Sequence, residues 1–166
     1  MTAVRPPEGP ESPDVASGAS HRHPPARVGA LDESARRLSH EELAVAHVLV
    51  AEGHAVRSLA PSAGPTADLS VCERETEIKS LRPGATAATV TNALRRARRQ
   101  GTDVIVDARS SGLSGLAAQR GVDTFAARFD RGRVERIRVV GDGFDRSYGQ
   151  RQLDRTAQPR LGQGLG

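Results

Sequence analysis

Ala67-Asp68-Leu69-Ser70-Val71-Cys72-Glu73-Arg74-Glu75-Thr76-Glu77-Ile78-Lys79-Ser80-Leu81 reads as two short strands joined by a turn. Polar and apolar residues alternate from Ala67 to Cys72 and again from Thr76 to Leu81, the pattern of a strand with one buried face. A two- or four-residue connection centred on Glu73-Arg74 sets Cys72 against Glu75 or Val71 against Thr76. Either choice places Asp68 opposite Lys79 and Ser70 opposite Glu77. Residues two apart on a strand share a face, so Asp68, Glu77 and Lys79 converge on one surface. A three-residue connection would send Asp68 to the other face unless a bulge corrected it.

Lys79 is the single lysine of a 166-residue chain that carries twenty-three arginines. A chain that meets almost every need for positive charge with guanidinium has kept one ammonium here, and the two groups are not equivalent. Lysine is a compact point donor, whereas arginine is a wide planar fork.

Working outward, Ser39-His40-Glu41-Glu42 is a capping box that opens a helix running to about Glu52, with Gly53 placed to end it. Val56 to Leu59 is a short strand, and Pro61-Ser62-Ala63-Gly64-Pro65 is a breaker loop. After the two alternating runs, a helix from about Ala87 to Gln100 carries Val90, Ala93, Leu94 and Ala97 on one stripe and stops at Gly101. Val104-Ile105-Val106 is expected to be a buried central strand, parallel to a neighbour. A helix around Asp123 to Phe129 turns Phe125, Ala126 and Phe129 inward, and a last strand covers Val134 to Val140. The expected fold is therefore α/β, with element order αβββαβ, a mixed central sheet flanked by helices, and an added C-terminal helix and strand.

Six of the ten prolines fall in the first thirty residues, in company with Gly, Ser, Glu and His. Such a mixture buries too little apolar surface to offset ordering entropy, so 1–38 is expected to be a disordered leader or linker. The span 39–140 is expected to be the folded domain, and 141–166, rich in Gly, Gln and Arg, a flexible tail. An apolar fraction of 37% with 2% aromatics implies a small core of Ala, Val and Leu. One cysteine, Cys72, excludes an intrachain disulfide and a multi-cysteine zinc site. No transmembrane segment or signal peptide is expected in this chain. The net charge of +4 and a pI of about 10.4 favour a polyanionic partner, with arginines concentrated at 95–99 and 128–138.

Two converging hard carboxylates can hold Mg²⁺ or Mn²⁺, each of which keeps several waters, and the backbone carbonyl of Ile78 is a further candidate ligand. Asp68, Glu77 and Ile78 are thus the expected metal set, with Lys79 beside them to orient an attacking water and pair with a phosphate oxygen. The ordinary alternative is a solvent-facing hairpin with cross-strand ion pairs.

The helix bearing Glu42, Ala67-Asp68-Leu69, Glu77-Ile78-Lys79-Ser80-Leu81, the helix ending Arg99-Gln100 and Val104-Ile105-Val106-Asp107 together resemble the PD-(D/E)XK nuclease superfamily. Over about seventy residues the string is most similar to the C-terminal tRNA-nuclease toxin domains of contact-dependent growth inhibition (CdiA-type) and polymorphic toxins. The resemblance implies a restriction-endonuclease-like core and a metal-dependent endonuclease that cuts RNA, with tRNA as substrate. It makes Asp68 and Glu77 metal ligands, Lys79 the catalytic lysine, Glu42 the acid of the first helix and Gln100 the polar residue at the end of the second. It also implies a cognate immunity protein and action in the cytoplasm of a target cell. The superfamily's proline directly precedes its aspartate, whereas here Thr66 and Ala67 intervene between Pro65 and Asp68.

Glu42 is also the reciprocal member of the Ser39 capping box, and Glu41 is the alternative acid. Arg95, Arg99, Gln100 and Arg109 are the candidate substrate contacts. The rival functions on the same fold are a DNA endonuclease of the restriction or junction-resolving type and a catalytically silent nucleic-acid-binding module.

Overall fold

The computed structural model describes residues 28–157. Seven strands form one mixed sheet in sequential order: β1 (Ala30–Asp32), β2 (Ala55–Ser58), β3 (Leu69–Val71), β4 (Arg74–Ser80), β5 (Asp103–Ala108), β6 (Arg136–Gly141) and β7 (Phe144–Tyr148). Four helices flank it: α1 (His40–Ala51), α2 (Ala87–Ala97), α3 (Gly115–Arg128) and α4 (Gln150–Ala157). The run α1-β2-β3-β4-α2-β5 is the order read from the sequence, and β5 lies between β4 and β6, parallel to both. No helix among the described residues is long and apolar enough to cross a membrane.

The helix boundaries follow from local chemistry. Ser39 caps α1 in a complete capping box with Glu42, and Gly53 closes the helix at φ 86°, a conformation glycine adopts without steric cost. Thr86 caps α2 in a second box with Thr89, and Ser114 caps α3. In α3, a Cβ on Gly121 would lie 2.6 Å from the Ala87 carbonyl oxygen and from Val90 Cβ, so glycine is what lets α2 and α3 approach.

Strand alternation divides the core in two. Val45, Ala46 and Leu49 of α1 pack with Val56, Leu69, Ile78 and Ile105 on one face of the sheet. Val90, Leu94 and Ala97 of α2, Val122 and Phe125 of α3, and Leu153 of α4 pack with Val104, Val106, Ile137 and Val139 on the other. Because Ile78 faces α1, its neighbours Glu77 and Lys79 face α2.

Two boundary expectations are corrected. Residues 141–157 are not a tail: β7 pairs antiparallel with β6, and α4 closes the core with Tyr148 and Leu153 almost fully buried. Charged residues between two buried apolar positions hide this amphipathic end from a composition argument. The folded domain also begins before Ser39, because β1 pairs parallel with β2. The remainder of the expected leader, 1–27, and of the expected tail, 158–166, lies outside the described residues.

If α4 is part of the core, Leu153→Ala should lower stability by about 3 kcal/mol, the cost of truncating a fully buried leucine. A urea melt reads this directly, since an exposed tail residue would shift stability by less than about 0.5 kcal/mol.

Candidate functional site

The β3–β4 turn differs from the expected one. Val71 pairs with Arg74, Ser70 with Glu75 and Leu69 with Thr76, so the two-residue connection is Cys72-Glu73, both with positive φ (46° and 69°). That is the backbone of a hairpin whose turn twists with its strands, built here without the usual Asn-Gly. The register is shifted by two from the expected one. The shift brings Asp68 level with Glu77 rather than Lys79 and leaves every side chain on its expected face, because two is the period of a strand.

Asp68 lies just beyond the last ladder pair, where β3 and β4 part. Its Oδ2 accepts a 2.9 Å hydrogen bond from the Ile78 amide. A residue's N–H and C=O share one edge of an extended strand, so the Ile78 carbonyl faces the same opening. Glu77 is 1% exposed. Its Oε1 is bound by Lys79 Nζ, and its Oε2 is buried with no hydrogen-bond partner. Burial raises the Glu77 pKa to about 7, overcoming the Lys79 contact, and the charge of Asp68 pushes the same way. Asp68 is raised as well, chiefly by burial and then by Glu42, against the Ile78 hydrogen bond.

Glu42 joins this group from the first turn of α1. It completes the capping box through a 2.7 Å bond from the Ser39 amide and receives both terminal nitrogens of Arg36 at 2.8 Å. The Arg36 fork, helped by the capping contacts, holds the Glu42 carboxyl down at about 2. Arg36 also donates to the carbonyls of Leu59 and Asp68 and lies 3.5 Å from Asp68 Oδ1. It ties α1 to both walls of the opening. Nothing in the helix or strand patterns marks Arg36; its position in the expected leader concealed it.

Gln100, in the turn after α2, lines the same groove as Arg36, Glu42 and Asp68. Glu41 is exposed. Of the candidate substrate contacts, Arg95 lies elsewhere, its guanidinium 5.9 Å from the centre of the Phe129 ring. Arg109 is locked in a fork on Asp107 at 2.7–2.8 Å, lining a cleft with Val45 and Leu49 on the α1 face. Arg95 is thus engaged by an aromatic ring far along the chain, and Arg109 by the strand-end carboxylate two residues before it. Arg99 is exposed beyond the end of α2.

Among the described residues no three His, Cys, Asp or Glu side chains gather into a ready metal cage. The opening instead offers a carboxylate pair and one carbonyl. The buried, partnerless Glu77 Oε2 beside Asp68 fits a hard divalent cation that completes its shell with water.

No family model matches the sequence, and no curated protein matches it. Among solved structures, the chain is similar to one described as a CdiA-CT/CdiI toxin and immunity complex from Burkholderia pseudomallei, at 13% identity and a TM-score of 0.49. The match covers 72% of this chain and 98% of that chain, and at that level it carries no argument about activity.

Two stability measurements separate these carboxylates. Glu77 ionises with a folded pKa above its ordinary 4.5, so native stability should fall as pH rises from about 4.5 through 7, by about 3 kcal/mol in chelator. Glu77→Gln should flatten that slope in urea melts across the range. Glu42 has the opposite sign: its folded pKa lies below 4.5, so its contribution is present above that value and lost as pH falls toward 2. Arg36→Ala should remove this acid-range loss and cost about 2 kcal/mol at neutral pH, the scale of hydrogen bonds to a charged group.

Proposed function

We propose that the protein is a metal-dependent endonuclease of the PD-(D/E)XK type, an RNase toxin domain that cuts tRNA. The observation that carries the chemistry is the buried Glu77, one oxygen on Lys79 and the other without a partner, facing Asp68 at the parting of β3 and β4. Leaving a buried carboxylate oxygen unsatisfied costs about 1–3 kcal/mol or more, and such atoms concentrate where a site is built for something else to bind. The RNA substrate, the toxin role and a cognate immunity protein as partner rest on the sequence resemblance. So does action in the cytoplasm of a target cell.

Asp68 Oδ1, Glu77 Oε2 and the Ile78 carbonyl would hold Mg²⁺ or Mn²⁺. When bound, the ion would supply charge neutralisation at the scissile phosphate and a more acidic water. The residues of this chain do the rest. Glu77 and Asp68, raised in pKa by burial, gain most from a cation and hold it against a dry wall. Glu42, kept ionised by Arg36, adds negative charge behind Asp68 without competing for its protons. Lys79, a half-buried ammonium on the edge of the same opening, donates to the attacking oxygen or to a non-bridging phosphate oxygen. Gln100 borders the groove with an amide able to donate and accept.

The test is cleavage of total RNA and of plasmid DNA, each in Mg²⁺, in Mn²⁺ and in EDTA. RNA should be cut in either metal and left intact in chelator. Cleavage undiminished by EDTA would remove the metal from the mechanism, and cleavage of DNA alone would move the assignment to a DNA endonuclease. Lys79→Arg should lower the rate at least about a hundredfold, because the wider fork displaces an oxygen held between Lys79 and the carboxylates. A lysine that merely paired with Glu77 would be replaced by arginine with little loss.

A further inference from the structure

Lys79 stands between two grooves of opposite character. The one already described is lined by Arg36, Glu42, Asp68 and Gln100. The other runs between the end of β4 with its following turn and the exposed flank of α2, and its polar lining is Lys79, Ser80, Arg82, Thr89, Asn92 and Arg96. It holds three cations and no carboxylate. Elsewhere Arg131 pairs with Asp154, Arg133 with Glu75, Arg136 with Asp103, and Arg138 with Glu52 and Asp145, whereas Arg95, Arg98, Arg99 and Arg128 are in no ion pair among the described residues but do not line the groove at Lys79. Arg82 and Arg96 form no ion pair among the described residues.

From this distribution we infer that the groove between β4 and α2 is the track for the phosphodiester chain, with Arg82 and Arg96 each neutralising a backbone phosphate that flanks the one at Lys79. Two guanidiniums held free of carboxylates keep their attraction for an external anion, and a single nucleic-acid strand presents phosphates at regular intervals along such a line. Thr89 and Asn92, on the same helix flank, offer uncharged donors to sugar and phosphate oxygens between the two arginines. Phosphate contacts position the strand without reading its sequence, so the groove sets affinity and register, and base choice lies elsewhere. The identity of the central phosphate as the scissile one rests on the nuclease reading above. The preference of the groove for a polyanion does not.

The test compares Arg82→Ala/Arg96→Ala with a charge-matched control, Arg120→Ala/Arg151→Ala, in the full chain. Binding of a short fluorescein-labelled single-stranded RNA is measured by anisotropy across a salt series in EDTA, in a Glu77→Gln background. The groove variant should bind about tenfold more weakly at physiological salt, with its log Kd against log salt slope lowered by about 1.4, about 0.7 for each lost phosphate contact on a single strand. The control should keep the parent's slope within error. In the cleavage assay the groove variant should raise KM and leave kcat within about twofold. If the two double variants behave alike in Kd, slope and KM, the track assignment is overturned while the nuclease reading stands. If the parent cuts nothing in any metal and only the groove variant loses affinity and slope, the track stands and the nuclease reading falls.

Discussion

A carboxylate buried on a strand that serves two cores is the constraint around which the rest is arranged. β4 contributes Ile78 to the apolar layer under α1 and, one residue either side, Glu77 and Lys79 to the layer under α2. Its first residues pair with β3 and the rest with β5, the two ladders overlapping at Thr76 where β3 leaves it. Glu77 is therefore fixed by backbone pairing at the point where the sheet opens. Its ionisation is resisted by the dry surroundings and assisted by one ammonium. In the proposed reading a cation would offset that cost, and the Asp68 carboxylate and the Ile78 carbonyl stand beside Glu77 where it would be shared.

Arg36 extends the same logic to α1. The helix would carry Glu42 near the opening by virtue of its cap alone, because Ser39 and Glu42 satisfy one another at the helix end. What aims the carboxylate is the guanidinium, which binds both Glu42 oxygens and reaches the backbone of Leu59 and Asp68. The capping and site roles of Glu42 are thus compatible: one oxygen receives the Ser39 amide and both receive the fork.

The arginine content carries two different meanings in one chain. On the α1 face over β5, β6 and β7, arginines alternate with carboxylates, and Asp103 alone receives Arg74 and Arg136. This carpet of ion pairs covers a sheet surface that no helix covers. Exposed pairs of this sort add little stability each, but they leave no net field to draw a polyanion. The groove at Lys79, on the opposite side of the sheet, gathers Arg82 and Arg96 with no carboxylate in its lining. The formal charge of the chain conceals this division.

The sequence by itself determined the order of the elements from Ser39 to Asp107, the N-cap of α1, and the common face of Asp68, Glu77 and Lys79. Those features depend on local chemistry and on the two-residue period of a strand, which survives even a wrong turn. The Cys72-Glu73 turn was not legible, since neither residue has a preference for positive φ, yet its two-residue shift changed the partner of Asp68 and not its face. The tertiary structure decided what depends on contacts far apart in the chain. β7 and α4 form only because Tyr148 and Leu153 find the apolar layer made by α2 and α3. Arg36 meets Glu42 and Asp68 through the parting of β3 and β4. Arg95 meets the Phe129 ring, while Arg82 and Arg96 are left free of carboxylates. Side-chain partnership of this kind is set by packing in three dimensions, and periodicity along one chain does not encode it.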